Sequence, residues 1–130
     1  MFRNPRCTPA MANDRLHRAE ALLAAATMVR EYVSDEPDVA EVFVTLLFRA
    51  GVAAGEAICC RALGEHAPSD EAGVDLIASV APEGPEMADM LAVLLRARHG
   101  EEDASDAGTR MRCRRAAERL VQAARDRAMR

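Results

Sequence analysis

Apolar residues recur at intervals of three and four along most of the chain, a spacing typical of helices that bury one face. The first segment of this kind spans residues 14–33 and has Asn13 or Asp14 as its N-terminal cap. Its buried face is predicted to consist of Leu16, Ala19, Leu22, Leu23, Ala26, Val29 and Val33. No stretch shows the apolar–polar alternation of a half-buried strand. The pattern therefore predicts an all-α protein.

The second predicted helix, residues 38–63 with Ser34 or Asp35 as its cap, is apolar around most of its circumference. Its polar positions form one narrow stripe: Glu41, Thr45, Arg49, Glu56 and Arg61. Small residues, Gly51 and Gly55 among them, leave room for close contact with other helices. A helix of this kind either lies at the centre of a bundle or forms the seam of a dimer, and the sequence leaves both arrangements open.

Three further helices are predicted after a glycine stop at Gly64. A short one begins at Ser69 and ends near Val80, the next covers residues 86–98, and the last follows an acidic loop at residues 101–106. These segments predict an up-and-down four-helix bundle with an additional short helix.

The beginning of the chain differs from the rest. Residues 1–12 contain two prolines and no helical period, so we expect a flexible N-terminal arm before a single bundle domain at residues 13–130. Met11 is an alternative to Met1 as the first residue. The arm has no apolar run of signal-peptide length.

Compartment is predicted from the cysteines and from the most apolar stretch. The four cysteines are Cys7, Cys59, Cys60 and Cys113. They show neither a C-x-x-C motif nor a zinc-site spacing, so we expect free thiols. The stretch at residues 42–60 is interrupted by Arg49 and Glu56, and each such charge costs roughly 2.5–3.5 kcal/mol at a bilayer centre. We therefore expect a cytoplasmic protein with no membrane contact, no metal and no cofactor.

Charge is distributed unevenly, with a net charge of -13 over residues 31–109 and +6 over residues 110–130. A basic last helix can bind nucleic-acid phosphates, but neutralisation of the acidic middle of the same fold is the favoured interpretation. Aromatic residues make up 3% of the chain, which is too few for a base-stacking surface. RNA is therefore a disfavoured partner.

The sequence contains few arrangements that could carry catalysis. It has no glycine-rich phosphate loop, no nucleophile elbow and no Glu-x-x-His pair. Its histidines are predicted on a helix flank, in a turn and at a helix end: His17, His66 and His99. Glu56 is expected to form a structural ion pair with Arg98, or with Arg49, near a groove between two subunits. The alternative is a solvated polar stripe.

The order of these segments matches a known pattern. An alanine-rich second helix leaves through Leu63-Gly64-Glu65-His66 and is followed by a short helix, a leucine helix, a polar loop and a last helix. The segments that carry the match are 48–60, 73–77, 94–99 and 116–121. Over about residues 14–128 the chain resembles the HEPN domain (higher eukaryotes and prokaryotes nucleotide-binding). The resemblance implies a small helical bundle that dimerises. Many HEPN members are toxin ribonucleases or partners of nucleotidyltransferase antitoxins, and others have lost activity.

Active HEPN members carry an arginine followed, after four to six residues, by a histidine near the junction of the last two helices. The arginine steadies phosphate charge while the histidine moves the 2′-hydroxyl proton. In this chain the positions at that distance from Arg98 hold Asp103, Ala104 and Ser105. A literal match, Arg61 with His66, lies instead at the exit of the second helix.

These observations predict a non-catalytic HEPN-like module with a binding or regulatory role. We expect a homodimer, related to toxin–antitoxin systems, with a nucleotidyltransferase-type protein as its partner. One alternative is a metal-independent endoribonuclease toxin that uses Arg98 with His99, or Arg61 with His66. The other is a helical scaffold or dimerisation protein without that relationship.

Overall fold

The computed structural model describes residues 4–30 and 36–130 and is built from helices. In these ranges there are five: α1 Pro9–Arg30, α2 Pro37–Leu63, α3 Asp70–Ala78, α4 Gly84–Arg98 and α5 Ala107–Ala128. The extended pairing found in the same ranges is a single isolated bridge between Arg6 and Glu65. The predicted all-α class is therefore confirmed. Helices α1, α2, α4 and α5 form the bundle, and α3 is the additional short helix.

Local sequence signals account for most helix ends. Helix α2 begins after Glu36, whose carboxylate accepts a hydrogen bond from the Val39 N–H at 3.0 Å, and it ends at Gly64 with a positive φ of 72°. Ser69 caps α3 as predicted, because its hydroxyl accepts from the Ala72 N–H at 3.2 Å. The caps predicted for α2, Ser34 and Asp35, and the predicted end of the first helix at Val33, lie outside the described residues.

Helix α1 begins at Pro9, five residues before the predicted start at Asp14. The Thr8 hydroxyl accepts a hydrogen bond from the Met11 N–H at 3.2 Å and so caps the first turn. Proline is well suited to the first position of a helix, since its missing N–H has no partner to lose there. The boundary predicted at residue 12 is therefore wrong, because residues 9–12 belong to α1 and Ala12 is buried.

The segment before α1 is attached to the end of α2. The His66 N–H donates to the Pro5 carbonyl at 3.0 Å, and the Cys7 N–H donates to the Gly64 carbonyl at 3.1 Å. A disulfide joins Cys7 to Cys60, with their Cα atoms 5.5 Å apart. The expectation of four free thiols is thus wrong for this pair. Residues 53 positions apart become neighbours through the fold, which local cysteine spacing does not reveal.

The other two cysteines, Cys59 and Cys113, are free and buried. Burial raises the pKa of the Cys59 thiol to about 12 and that of the Cys113 thiol to about 11. Both side chains are therefore neutral and act as small apolar groups within the core.

Helix α2 occupies the centre of the bundle. It contacts all four other helices, and its largest interface is with α1. A Cβ atom at Gly51 would collide with the Leu94 side chain and would lie 3.4 Å from Leu120, so α4 and α5 pack directly over this glycine. Of the two arrangements that the sequence leaves open, the structure therefore shows the central one.

By length and composition alone, α2 could also cross a membrane. In its most apolar window, however, 67% of the residues are buried inside the protein by the other helices. Burial of this extent is what a core helix of a bundle shows.

The disulfide gives a testable prediction for stability. For a bond that closes a loop of this length, we expect Cys7→Ser to lower the free energy of unfolding by about 2–4 kcal/mol, through the greater entropy of the unfolded chain. Urea unfolding under oxidising conditions would measure this loss. With reductant present, the wild-type and variant proteins should unfold alike.

Thiol counting provides the control. Alkylation of the denatured, unreduced protein should label only Cys59 and Cys113, and reduction should add Cys7 and Cys60. Labelling of all four cysteines without reductant would show that the bond is absent. Because disulfides are rare in reducing compartments, the same measurement on protein taken directly from cells also tests the predicted cytoplasmic location.

Candidate functional site

Two adjoining cavities surround Glu56 on the side of the bundle formed by α1, α2 and α3. Their volumes are about 220 and 280 Å³, and they share Val52, Glu56 and Asp70 in their walls. The first cavity is completed by Gly55, Cys59, His66, Ala67, Pro68, Ser69, Gly73 and Leu91. The second is completed by Arg15, Arg18, Phe48, Arg49 and Ala53. We call the two cavities together the Glu56 groove.

Glu56 forms an ion pair with Arg15, whose Nε lies 3.1 Å from Glu56 Oε2. Both side chains are about 30% exposed, at 32% and 28%. The predicted pairings of Glu56 with Arg98 or with Arg49 are not formed. Helix α1 runs antiparallel to α2, so Arg15 near the start of α1 lies beside Glu56 near the end of α2.

The two predicted partners lie in different places. Arg49 lines the same groove and is exposed, but within residues 4–30 and 36–130 it forms no ion pair. Arg98 lines a separate cavity of about 430 Å³ together with Glu102 and Asp103. The structure thus brings Arg49 and Glu56 into one groove, whereas Arg98 lines another cavity and is near enough to Asp70 for its charge to act on that carboxyl.

His66 is brought into the Glu56 groove by the turn that follows α2. Its Nδ1 lies 3.0 Å from the Ala67 carbonyl oxygen and 3.7 Å from Glu56 Oε2. Because a carbonyl oxygen can only accept, this ring nitrogen carries the hydrogen of that bond. The side chain is mostly buried, with 17% of its surface exposed.

Asp70 supplies the second carboxylate of the groove, in the first turn of α3. Partial burial raises the pKa of Asp70 above its ordinary value, and the negative charges of Glu71 and Glu56 raise it further. Two carboxylates are therefore held close enough to repel each other.

Cys59 forms part of the wall of the groove and is not a nucleophile. Burial is the largest cause of its raised pKa, and the nearby Glu56 charge adds to it. A thiol must lose its proton to react, so Cys59 contributes apolar surface at neutral pH.

The two residues of the literal arginine–histidine match, Arg61 and His66, have different partners in the fold. The Arg61 guanidinium is exposed and donates a hydrogen bond to the Asn13 side-chain oxygen on α1. The other candidate histidine, His99, has its Nε2 3.8 Å from Glu71 Oε1. Each of these two histidines thus lies beside a carboxylate, His66 beside Glu56 and His99 beside Glu71.

Arginines of α5 pair with acids elsewhere in the bundle. Their ion pairs are Arg112–Glu102 at 3.2 Å, Arg119–Glu86 at 3.7 Å, Arg125–Glu20 at 2.9 Å and Arg127–Glu83 at 3.5 Å. Neutralisation within the fold therefore accounts for much of the basic face that the sequence places on the last helix.

Arg15, Arg18 and Asp70 were not predicted as parts of a site. The first predicted helix places Arg15 and Arg18 off its apolar face, but only the antiparallel register with α2 shows what they meet. In the part of the chain that the structure describes, no group of His, Cys, Asp and Glu side chains could hold a metal ion.

The ion pair between Arg15 and Glu56 can be measured by a double-mutant cycle. We expect Arg15→Ala and Glu56→Gln to be coupled by about 0.5–1 kcal/mol in urea unfolding, since the pair is only partly buried. High salt should reduce the coupling.

Arg49 gives the matched control, because it lines the same groove without this ion pair. The cycle between Arg49→Ala and Glu56→Gln should show a coupling close to zero. Additive effects of Arg15→Ala and Glu56→Gln, or equal coupling in both cycles, would contradict the assigned pair.

No family model matches the chain, and neither the curated proteins nor the solved structures contain a significant match.

Proposed function

We propose that the chain is a non-catalytic, HEPN-like helical module that acts by binding a ligand or partner. The observation that carries this proposal is that each candidate histidine lies beside a carboxylate, His66 beside Glu56 and His99 beside Glu71. An arginine–histidine pair cleaves RNA only if the arginine can neutralise the phosphate at which the histidine moves a proton. Here Arg61 is bound to Asn13, while His66 lies beside Glu56.

Electrostatics around both histidines also supports binding without cleavage. A phosphate near His66 would meet the carboxylates of Glu56 and Asp70. A phosphate near His99 would meet Glu71. Like charges at such distances repel an RNA backbone, and the repulsion is strongest where the carboxylates are partly buried.

A homodimer is part of this proposal, on different grounds from those of the sequence. The four other helices cover α2 within one copy, so its apolar circumference does not require a dimer. Large apolar side chains remain exposed where α1 ends and where α2 and α5 begin: Met28 at 70%, Val42 at 52% and Met111 at 48%. Met111 shares a cavity with Arg30 and Phe43, which places it at this end of the bundle. We assign this end to self-association. For the chain as a whole we also propose a nucleotidyltransferase of the antitoxin type as protein partner. This part of the proposal is based on the HEPN resemblance alone.

Incubation with single-stranded RNA in the presence of a chelator tests the absence of catalysis. We expect no cleavage by the purified protein and no growth arrest on its expression, because each candidate histidine lies beside a carboxylate that repels phosphate. Cleavage that is lost in His66→Ala or His99→Ala would overturn the proposal in favour of the endoribonuclease alternative. Retention of full cleavage in both variants would indicate a contaminating nuclease.

Light scattering across micromolar concentrations tests the dimer. We expect a dimer whose dissociation constant rises by roughly tenfold or more in Val42→Glu and in Met111→Glu, since each change places a charge in an apolar contact. Leu63→Glu is the matched control, because Leu63 is 40% exposed at the opposite end of α2. A monomeric wild type, or equal disruption by Leu63→Glu, would contradict the assigned face.

A further inference from the structure

The Glu56 groove has opposite charges along its length, and the fold uses only some of them. Glu56 and Asp70 lie in the middle, where the two cavities meet. Arg18 and Arg49 lie in the wall of the second cavity and are exposed. Among residues 4–30 and 36–130, neither arginine forms an ion pair, so both remain available to a negatively charged group.

The opposite end of the groove is small, and its walls combine the polar residues His66 and Ser69 with apolar ones. Val52, Leu91 and the protonated thiol of Cys59 contribute to its walls, and two glycines, Gly55 and Gly73, leave space between them. Its volume of about 220 Å³ is below the roughly 300–1,000 Å³ of pockets that hold drug-sized molecules. The part of a ligand that fills this end of the groove must therefore be small.

The middle of the groove would gain from a cation. Glu56 and Asp70 repel each other, and Arg15 pairs with only one of them. A positively charged group between the two carboxylates would relieve that repulsion, and the partly buried position would strengthen the attraction.

We propose that the Glu56 groove binds a small zwitterion of the amino-acid class. The ammonium group lies between Glu56 and Asp70, the carboxylate faces Arg18 and Arg49, and an apolar side chain fills the pocket beside Leu91. This assignment names a ligand for the binding module and so rests on the proposed function.

Ligands of a single charge fit less well. An anion held by Arg18 and Arg49 alone would lie next to the carboxylate of Asp70, which forms no ion pair among the described residues. A cation held by the carboxylates alone would lie next to Arg15 and leave the two exposed arginines unused. A zwitterion satisfies both ends because its two charges are separated in the same order as those of the groove.

Calorimetric titration of the full chain with three matched probes tests the proposal. L-norleucine carries both charges, hexanoate is the same molecule without the amine, and pentylamine is the same molecule without the carboxylate. We expect L-norleucine to bind at least tenfold more tightly than either analogue. If hexanoate binds as tightly as L-norleucine, the groove is an anion site. If pentylamine binds as tightly, it is a cation site. If neither L-norleucine nor glycine binds at millimolar concentration, the groove has no amino-acid site. Each of these outcomes overturns the proposal.

Two variants locate the binding. Arg49→Gln should weaken L-norleucine binding about tenfold, and Arg96→Gln, an exposed arginine outside the groove, should leave it unchanged. In Gly73→Ala the new Cβ would lie 3.9 Å from both Ala67 and Leu91, which is an ordinary contact, and alanine favours the helix. The variant should therefore fold well, bind L-norleucine several-fold more weakly and bind glycine, which has no side chain, as before. Unchanged binding of L-norleucine in both groove variants would place the ligand elsewhere and overturn the proposal.

The outcome can be separated from that of the proposed function. Failure of L-norleucine to bind, together with an RNA assay that shows no cleavage, would remove the ligand and leave the non-catalytic module standing. RNA cleavage that depends on His66 or His99 would instead remove the proposed function, whatever the titration shows.

Discussion

The antiparallel pairing of α1 with α2 is the constraint on which the rest of the structure depends. It is the largest helix interface, and it sets one register from Cys7 to the middle of α1. Within that register Cys7 lies beside Cys60 and Arg15 beside Glu56. A shift of α1 by one turn, about 5.4 Å, would separate both pairs at once. The disulfide and the ion pair thus secure the same alignment, one by a covalent bond and the other by charge.

Charge neutralisation follows from the way the bundle closes around α2. Helix α5 carries many of the arginines, and several of them meet carboxylates of other elements, as Arg125 meets Glu20 and Arg127 meets Glu83. Surface pairs of this kind contribute little stability individually, but they leave few isolated charges on that face. Arg18 and Arg49 are different, because no acid of the described chain pairs with them. The Glu56 groove therefore combines two arginines without an ion pair and two carboxylates in one cavity system, which is why that groove is the strongest candidate for a ligand.

Sequence patterns were sufficient for features that depend on neighbouring residues. The helical period identified the all-α class, Gly64 and Ser69 marked helix ends, and the glycines of α2 indicated close helix contact. Features that depend on residues far apart in the chain were missed or misassigned, as with the partner of Glu56 and the bond between Cys7 and Cys60. Periodicity shows which side of a helix is buried. It does not show which neighbouring helix covers that side, or how the two helices are aligned along their axes. The early start of α1 was missed for a local reason, since its first turn has a proline and no repeated apolar position.

Arg61 and His66 have different partners, and this shows why a short spacing motif is weak evidence for catalysis. Gly64 lies between the two residues and adopts a left-handed conformation, with φ of 72°, that ends α2. Arg61 stays on the outer surface of the last helical turn, where Asn13 of α1 accepts its hydrogen bond. His66 follows the turn and is held by the N-terminal segment, because its N–H donates to the Pro5 carbonyl. The same α1–α2 register that builds the Glu56 groove therefore pairs Arg61 with Asn13 and leaves His66 beside Glu56, and the groove carries opposed charges in place of a catalytic pair.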